Sequence, residues 1–292
     1  GWYLLQGLRQ IFMFLNIAHD ANHNSISNNR FINKTLSYVL DACGISSYMW
    51  RVMHNKGHHS VMNVYGEDEG IFAHGIFRFS PDAPWRKSHR FQHIYVFFMY
   101  AITTLDFIFV KDFEYLFFKN NKHVENVKYP LSEWIIIIGS KIIYLTYMIA
   151  LPVLILGFSV GQVVLAFLIT HFIMGLVAAW IIQVAHLLDI NEFPHARHDH
   201  DFVDHIFATT TDYATRSRIA NFICGGLNHH VVHHIFPQVA HRPSPKLTKI
   251  VREPAAEFGV DYRENVYMYQ AMAHHLKLLK QLGQPPIQQL EF

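Results

Sequence analysis

Long apolar runs separated by short polar stretches dominate this chain. From Trp134 to Val184, charged residues are absent except for Lys141. A break at residues 157–161, which includes two glycines, divides this stretch into two runs of about 24 residues. Because about 20 consecutive apolar residues suffice to cross the hydrocarbon core of a bilayer, the pattern predicts a transmembrane hairpin over residues 134–184.

A third apolar run, Phe91 to Val110, has a different character. It is shorter, carries Asp106 in its interior, is rich in tyrosine and phenylalanine, and is flanked by Arg90 and Lys111. Aromatic residues and flanking cations are typical of helices that lie in the membrane interface. We therefore predict an interfacial helix here.

The N-terminal run, Gly1 to Ala18, is apolar on most faces but includes Arg9 and two glutamines. This pattern predicts the inner half of a membrane-spanning helix that leaves the membrane just before residue 19. We expect a partner helix upstream of Gly1, so that the N-terminal hairpin is incomplete in this sequence.

The overall composition agrees with a membrane protein. Of the 292 residues, 51% are hydrophobic and only 16% are charged, which is more apolar than is usual for a soluble domain. The formal net charge is +2 and no tract is rich in Lys or Arg, so we expect no nucleic acid partner. Two cysteines, Cys43 and Cys224, offer no disulfide framework and fit a reducing compartment.

The positive charges fall into three regions. Eight of the 24 Lys and Arg residues lie between Arg30 and Arg90, four between Lys111 and Lys128, and ten between Arg197 and Lys280. By the positive-inside rule, all three regions face the cytoplasm. We expect the functional site on that face of the membrane.

These patterns together predict an all-α integral membrane protein that forms a single domain over residues 1–292. Its transmembrane and interfacial helices would support a helical cytoplasmic cap made from residues of about 19–90 and 187–292. Within the second cap segment, amphipathic patterns at residues 246–258 and 265–282 predict two helices.

Three clusters of histidines stand beside the apolar runs: HDANH at residues 19–23, HNKGHH at 54–59 and HHVVHH at 229–234. Imidazoles recur three or four residues apart in each cluster, which places them on one face of a helix, with Cβ atoms roughly 5–6 Å apart. Two such imidazoles can bind one metal ion. A further histidine, His186, follows the second arm of the hairpin, where the helix would emerge on the cytoplasmic side.

Spacing and position select nine candidate metal ligands: His19, His23, His54, His58, His59, His186, His230, His233 and His234. Nine imidazoles are too many for one ion, since a tetrahedral zinc takes four protein ligands and an open catalytic site three. We therefore expect two metal ions, although imidazole suits iron, copper, nickel and zinc alike.

Among the remaining histidines, we expect His171 to hydrogen-bond inside the bundle and His229 to support a ligand or to face solvent.

Convergence of the clusters constrains the topology, because every membrane crossing swaps sides. The 30 residues between His23 and His54 are too few for two spans with their turns, so residues 36–53 should be re-entrant or interfacial. Between His59 and His229, the predicted hairpin alone supplies an even number of crossings. This is a second reason to place the run over residues 91–110 at the interface.

HDANH, HNKGHH and HHVVHH followed by IFP resemble the three histidine boxes of the membrane fatty acid desaturase family, in particular its front-end and acyl-lipid members. The resemblance runs from about Leu5 to about Tyr262. The third box begins with Gln in many of those members, whereas this sequence has His230 there, as other branches do.

The resemblance implies dioxygen-dependent insertion of a carbon–carbon double bond into a fatty acyl chain carried by coenzyme A, acyl-carrier protein or a membrane lipid. It implies two iron ions held by the nine histidines, and an acyl tunnel between the helices. Because no haem-binding HPGG motif is present, it also implies that electrons come from a separate protein such as ferredoxin or cytochrome b5.

Other residues have narrower expected roles. Asp20, beside His19, could orient an imidazole through its second nitrogen, as ligating histidines usually require. The tunnel walls should come from residues 2–14, residues 91–100 and the hairpin. Four basic residues of the cap could meet an anionic head group or anionic membrane lipid: Arg78, Arg86, Lys87 and Arg90.

Two other functions remain open from the sequence. The same boxes serve fatty acid or alkane hydroxylases and acetylenases, which the boxes alone do not separate from desaturases. A histidine-rich divalent-metal transporter would also join apolar helices to clustered imidazoles. Transporter sites, however, lie near the bilayer midplane, whereas these clusters follow the ends of apolar runs.

Overall fold

The computed structural model describes residues 2–71, 73–117, 127–196 and 201–286. These residues are mostly helical, and the strands among them are a single pair of two-residue segments. The helices are α1 (Trp2–Met13), α2 (His19–Asn22), α3 (Arg30–Ser37), α4 (Ser47–Val52), α5 (Gln92–Asp106), α6 (Asp112–Phe117), α7 (Leu131–Leu145), α8 (Leu151–Leu154), α9 (Val160–His186), α10 (Phe202–Thr209), α11 (Arg218–Ile223), α12 (His230–Ile235), α13 (Ser244–Glu257) and α14 (Met268–Leu282). The prediction of an all-α membrane protein is confirmed.

Four π-helical turns join several of these helices into longer rods. They lie at Phe14–Ala18, Met53–His58, Phe107–Lys111 and Thr146–Ala150. Shorter 3₁₀ turns occur at Asp41–Cys43, Glu69–Ile71 and Lys87–Phe91. π-turns are frequent at functional sites, and here two of them lead directly into histidine clusters, at His19 and at His54–His59.

Three rods in the described part of the chain are long and apolar enough to cross a membrane: Lys87–Phe117, Leu131–Leu154 and Val160–His186. The last two are the arms of the predicted hairpin. Its turn is fixed at Ser159, whose hydroxyl accepts from the Gln162 backbone N–H while the Gln162 side chain accepts from the Ser159 N–H.

The rod at Lys87–Phe117 is longer than the run from which it was predicted, and its position at the interface remains a prediction. At its start, the Gln92 side chain bonds the backbone of Arg78 and Leu279. At its end, the Tyr115 hydroxyl donates to Glu69. Both ends therefore contact segments that the sequence assigns to the cap, which supports the interfacial placement.

Helix α9 is the centre of the bundle. It runs antiparallel to α5, with Gly175 so close that a Cβ there would lie 2.6 Å from the Ala101 carbonyl oxygen. It runs parallel to α1, where a Cβ on Gly7 would lie 2.5 Å from the Thr170 carbonyl oxygen. Glycines thus allow close helix approach, as is common in membrane bundles. Because α1 and α9 are parallel, they deliver His19 and His186 to the same end of the bundle.

Two polar residues inside the bundle, His171 and Lys141, have partners. His171 lies between Tyr144, whose hydroxyl is 2.7 Å from Nε2, and Thr104, whose hydroxyl is 3.1 Å from Nδ1, which confirms the predicted role of this histidine. Lys141, the single charge of the hairpin, lies 2.8 Å from Asp112 and donates to the Gly44 carbonyl. Pairing of this kind is required because an unmatched charge at this depth would be costly.

Residues 36–53 break into the end of α3, a 3₁₀ turn and α4, each much shorter than a membrane span. The Lys141–Asp112 pair ties this segment to the bundle, since Asp112 also accepts from the Ser46 backbone N–H. The segment therefore turns back on itself and brings the second histidine cluster next to the first, as its length required.

The C-terminal part forms the cap over this end of the bundle. Its two predicted helices are present as α13 and α14. The strands β1 (Asp212–Tyr213) and β2 (Glu264–Asn265) pair in parallel, a feature with no signal in the sequence. In α14, buried His275 bonds the Leu187 carbonyl and the Tyr100 hydroxyl, which fixes this helix against α9 and α5.

Candidate metal centre

The nine predicted ligands come from four helical elements that end at the same place. His19 and His23 lie on and just after α2, which continues α1 through a π-turn. The second cluster occupies the π-turn that continues α4. His186 is the last residue of α9, and the third cluster lies on α12.

Eight of the nine histidines form two groups of four. In each group, one ring nitrogen from every residue lies within 4.8 Å of the others. The first group is His19, His23, His54 and His233, and the second is His58, His186, His230 and His234. The sequence predicted two ions from the number of imidazoles alone, and the structure places these eight imidazoles in two sets that could each hold one ion.

The ninth residue, His59, lies between the groups. Its Nε2 is 3.1 Å from Nε2 of His54, in the first group. Its ring centroid is 4.7 Å from that of His23 and 4.2 Å from that of His234, which belongs to the second group. His59 is therefore close enough to serve either group.

Hydrogen bonds fix the orientation of three rings in the second group. His186 Nδ1 lies 3.1 Å from the Thr209 carbonyl oxygen, and His230 Nδ1 lies 2.9 Å from that of Leu227. His58 Nδ1 lies 2.9 Å from Asp68 Oδ1. Carbonyl and carboxylate oxygens only accept, so each Nδ1 carries the proton and each Nε2 keeps its lone pair.

Those lone pairs point at one another. Nε2 of His186 lies 3.2 Å from Nε2 of His58 and 3.0 Å from Nε2 of His234. Burial, with a smaller effect from neighbouring imidazoles, lowers the pKa of His234 well below its ordinary value and that of His230 to about 3. The rings of His230 and His234 are therefore uncharged at neutral pH, and a cation bound within the group would be coordinated by their lone pairs.

The first group has the same character. Nε2 of His19, His23 and His233 are buried without a hydrogen-bond partner among the described residues. Burial is also the main cause that lowers the pKa of His23, His54 and His233 well below the ordinary value. Unpartnered buried imidazole nitrogens fit a transition metal, and an all-nitrogen donor set suits iron as well as zinc or copper.

Asp20 lies beside His19, but its main partner is another residue. Its Oδ2 is 2.8 Å from Nδ1 of His241 and 3.0 Å from the backbone nitrogen of His241, whereas its Oδ1 is 3.5 Å from Nδ1 of His19. Burial opposes ionisation, but hydrogen bonds from His19 and His241 outweigh it and hold the pKa of Asp20 well below its usual range. An orienting role for Asp20 remains a proposal. No partner for His241 was predicted from the sequence.

A carboxylate that the sequence analysis missed makes closer contact with a candidate ligand. Besides the His58 ring, Asp68 accepts from the backbone N–H groups of Gly70 at 2.7 Å and Asn63 at 2.8 Å. The Asn63 side chain in turn donates to the His186 carbonyl at 3.1 Å. The signal available was an acidic run, EDE at residues 67–69, which begins eight residues after the last histidine of the second cluster.

His229 lies outside both groups and away from solvent, with 2% of its surface exposed. Its Nδ1 is 2.8 Å from the Thr248 hydroxyl and 4.0 Å from Asp212. Asp212 accepts from the Val231 N–H at the first turn of α12 and from the Tyr262 hydroxyl. These contacts hold the helix that carries the third cluster against the cap.

A mostly apolar cavity of about 420 Å³ reaches the metal groups from inside the bundle. His54 of the first group and His58 and His186 of the second group line it. Of the predicted tunnel walls, Phe14, Met99 and Tyr100 contribute, and α9 supplies a strip from Met174 to Gln183. The first arm of the hairpin supplies none of the lining. Residues within 40–53, 68–79 and 102–115 also line the cavity, and the sequence pattern did not predict them.

Of the basic residues expected to meet a head group, Arg78 is not available. Its guanidinium donates to the carbonyls of Ala83, Pro81 and Leu282, and only 6% of the residue is exposed. Arg78 therefore joins the loop to the end of α14. Arg86, Lys87 and Arg90 lie at the surface.

Comparison with known proteins agrees with these features. The family model "Fatty acid desaturase" matches residues 1–266. An sn-1 linoleoyl-lipid 6-desaturase of Synechocystis is 34% identical over 92% of this chain and 76% of its own length. Its counterpart from Arthrospira platensis is 31% identical over 93% of this chain and 74% of its own length. An acyl-lipid (8-3)-desaturase of Physcomitrium patens is 32% identical over 92% of this chain and 57% of its own length.

Proposed function

Because this chain belongs to the fatty acid desaturase family and is an oxidoreductase, we propose that it uses dioxygen to place a double bond in a fatty acyl chain of a membrane lipid. In balanced form, –CH2–CH2– + O2 + 2 e⁻ + 2 H⁺ gives –CH=CH– + 2 H2O. The acyl-lipid substrate is proposed from the names of the relatives, which act on acyl-lipids.

One observation carries the proposal: a single apolar cavity touches imidazoles of both metal groups. An acyl methylene offers nothing to hydrogen-bond, so the protein can only position it by the shape of an apolar channel. A metal transporter would need a polar path through the centre of the bundle. The described bundle instead has paired polar residues there, such as His171 with Tyr144.

We assign one iron ion to each group of four histidines, and His59 to either ion. When bound, the two ions would supply the activation of dioxygen. The protein's own residues have separate tasks. Asp68 and the carbonyls of Thr209 and Leu227 hold Nδ1 protons, so that Nε2 faces the centre. Apolar cavity residues such as Phe14 and Met174 exclude water from the substrate.

As the source of the two electrons we propose a one-electron carrier such as ferredoxin or cytochrome b5. The excess of Lys and Arg in the segments that carry the histidines supports placing the site on the cytoplasmic face.

The proposal is tested by expressing the full chain in a host that supplies a reductase and an electron carrier, and analysing its fatty acids by mass spectrometry. A new species lighter by two hydrogens is expected, and position 6 is examined first because two relatives carry that name. The double variant His233→Ala, His234→Ala should abolish it. His195→Ala, a surface histidine that pairs with Asp82, should not.

Other outcomes of this experiment would identify the alternative functions. A product that gains oxygen would identify a hydroxylase, and one that loses four hydrogens an acetylenase. Box-dependent accumulation of divalent metal in vesicles without any new lipid would identify a transporter.

A further inference from the structure

A second, small depression of about 10 Å³ touches the first metal group from the cap side. His233 and Asp20 lie in it, and its walls include Phe236, Val239 and Leu247. It shares no lining residue with the acyl cavity, which touches His54, His58 and His186 instead. Among the described residues, the histidines are therefore approached from two separate sides, one of which is not needed for the acyl chain.

The depression is also connected to the first metal group by side chains. His241, at its edge, is a quarter exposed and lies 2.8 Å from Asp20, which contacts His19. A Cβ on Gly226 would lie 2.5 Å from Cβ of His241, so this glycine lets the imidazole pack close to the third cluster. The chain His241–Asp20–His19 thus runs from the surface to the ligands.

The surface around the depression is basic. Residues 213–252, which carry the third cluster, contain six Lys or Arg residues and no Asp or Glu. Three of the six form what we call the basic rim: Arg242, Lys246 and Lys249, all exposed, on and just before the start of α13.

The other three basic residues have different surroundings. Arg252 is paired with Glu264 at 2.6 Å. Arg216 and Arg218 lie just before and at the start of helix α11, where Ile219 and Phe222 are exposed and Phe222 packs on Phe12 of the N-terminal helix. Cationic residues beside exposed apolar side chains are typical of a helix at the membrane surface. We therefore do not assign these two arginines to a protein interface.

We propose that the basic rim docks an acidic one-electron carrier protein over the depression at His233, on the side of the metal groups away from the acyl cavity. The proposal rests on the proposed function. There, dioxygen takes four electrons and the substrate supplies two, so two must enter one at a time from outside. Phe236 and Val239, 40% and 43% exposed, give the patch an apolar centre inside a charged edge, as protein interfaces have.

The test measures binding and electron delivery separately. The probe is oxidised plant-type [2Fe–2S] ferredoxin, titrated against the purified full chain in nanodiscs of zwitterionic lipid at low and high salt. The rim variant is Lys246→Glu, Lys249→Glu. The control variant, Arg30→Glu, Lys280→Glu, makes the same charge change on exposed residues of two other cap segments. Turnover is driven either by reduced ferredoxin or by dithionite with a small viologen mediator.

We expect the rim variant to bind ferredoxin about tenfold or more weakly at low salt, with the difference shrinking as salt screens the charges. It should lose turnover driven by ferredoxin but keep turnover driven by the mediator. The control should match the unmodified chain in both.

Equal ferredoxin binding by rim and control variants would overturn the proposal. So would a rim variant that keeps ferredoxin binding but loses affinity for phosphatidylglycerol vesicles, because the rim would then be a lipid-binding surface. Absence of turnover with every reductant, even in the unmodified chain, would instead count against the proposed function, and the binding comparison would still decide the role of the rim.

Discussion

At the residue scale, the second metal group depends on acceptors that hold the outer nitrogen of three of its four rings. Two of these acceptors are backbone carbonyls, which no side-chain substitution removes. The third is the carboxylate of Asp68, which is buried and accepts from three donors. Supporting groups of this kind set ring orientation and ligand basicity, so Asp68 is the residue outside the nine histidines with the greatest expected effect on metal binding.

Replacing Asp68 with Asn keeps the shape of the side chain but removes the charge and leaves one of the three donors facing an NH2 group. We expect iron affinity to fall by about 10–100-fold, measured by competition with a chelator. Asp82→Asn is the matched control, since that exposed carboxylate also accepts from a histidine, His195. Equal affinities in the two variants would contradict a supporting role for Asp68.

The ligands themselves could be found in the sequence because helical spacing is a local property, visible in HDANH or HVVHH. Their supporting groups could not. Asp68 is ten residues from its histidine, the Thr209 carbonyl is 23 residues from His186, and Asp20 meets His241 across 221 residues. Such contacts depend on how separate elements pack, and adjacency in sequence pointed to His19 as the partner of Asp20 when His241 lies closer.

At the element scale, the close contacts of α9 align the two helix ends that carry His19 and His186. Both contacts rely on glycine, Gly175 against α5 and Gly7 against α1. Helices in lipid have no hydrophobic driving force to associate, so they depend on close van der Waals packing. Small residues at these two points allow that packing.

Gly175→Ala should therefore separate α9 from α5, because the added methyl would lie 2.6 Å from one backbone carbonyl oxygen and 2.7 Å from another. We expect a loss of about 1–3 kcal/mol in stability, seen as a lower midpoint of thermal unfolding in detergent. Gly139→Ala is the control, since a Cβ there meets nothing within 4 Å and should leave the midpoint unchanged or slightly raised. Similar midpoints for both variants would show that the α5–α9 contact is not close.

Sequence patterns were sufficient to predict the long elements but not the short ones. The hairpin was visible because two runs exceed the length of a membrane span. The rod that contains α5 begins and ends outside the predicted run, since polar residues near its two ends have partners: His89 bonds the Gly75 carbonyl and Asp112 pairs with Lys141. A two-residue strand pair such as β1–β2 has no periodicity from which it could be predicted.

At the scale of the whole molecule, the histidine groups lie between the apolar cavity inside the bundle and the small depression on the cap side. This arrangement separates the side from which an acyl chain would reach the metals from the side on which we propose that a protein partner docks. The cavity side can be blocked without touching a histidine, because α9 lines it with small residues between Met174 and Gln183.

Ala179→Phe places a large side chain in the cavity. We expect desaturation to be lost while iron content stays the same, because the volume needed by the acyl chain is filled and no ligand or supporting residue changes. Leu165→Phe, on the exposed part of the same helix, is the control and should leave product levels unchanged. Normal product formation by Ala179→Phe would mean that the substrate uses another route.

The central claim is that the chain holds two metal ions in two histidine groups, and the iron content of the purified protein tests it most directly. After anaerobic loading with Fe²⁺ and removal of excess iron, elemental analysis should find two ions per chain. The variant His186→Ala, His230→Ala, which alters only the second group, should hold one. A single ion in the unmodified protein, or an unchanged count in that variant, would contradict the account.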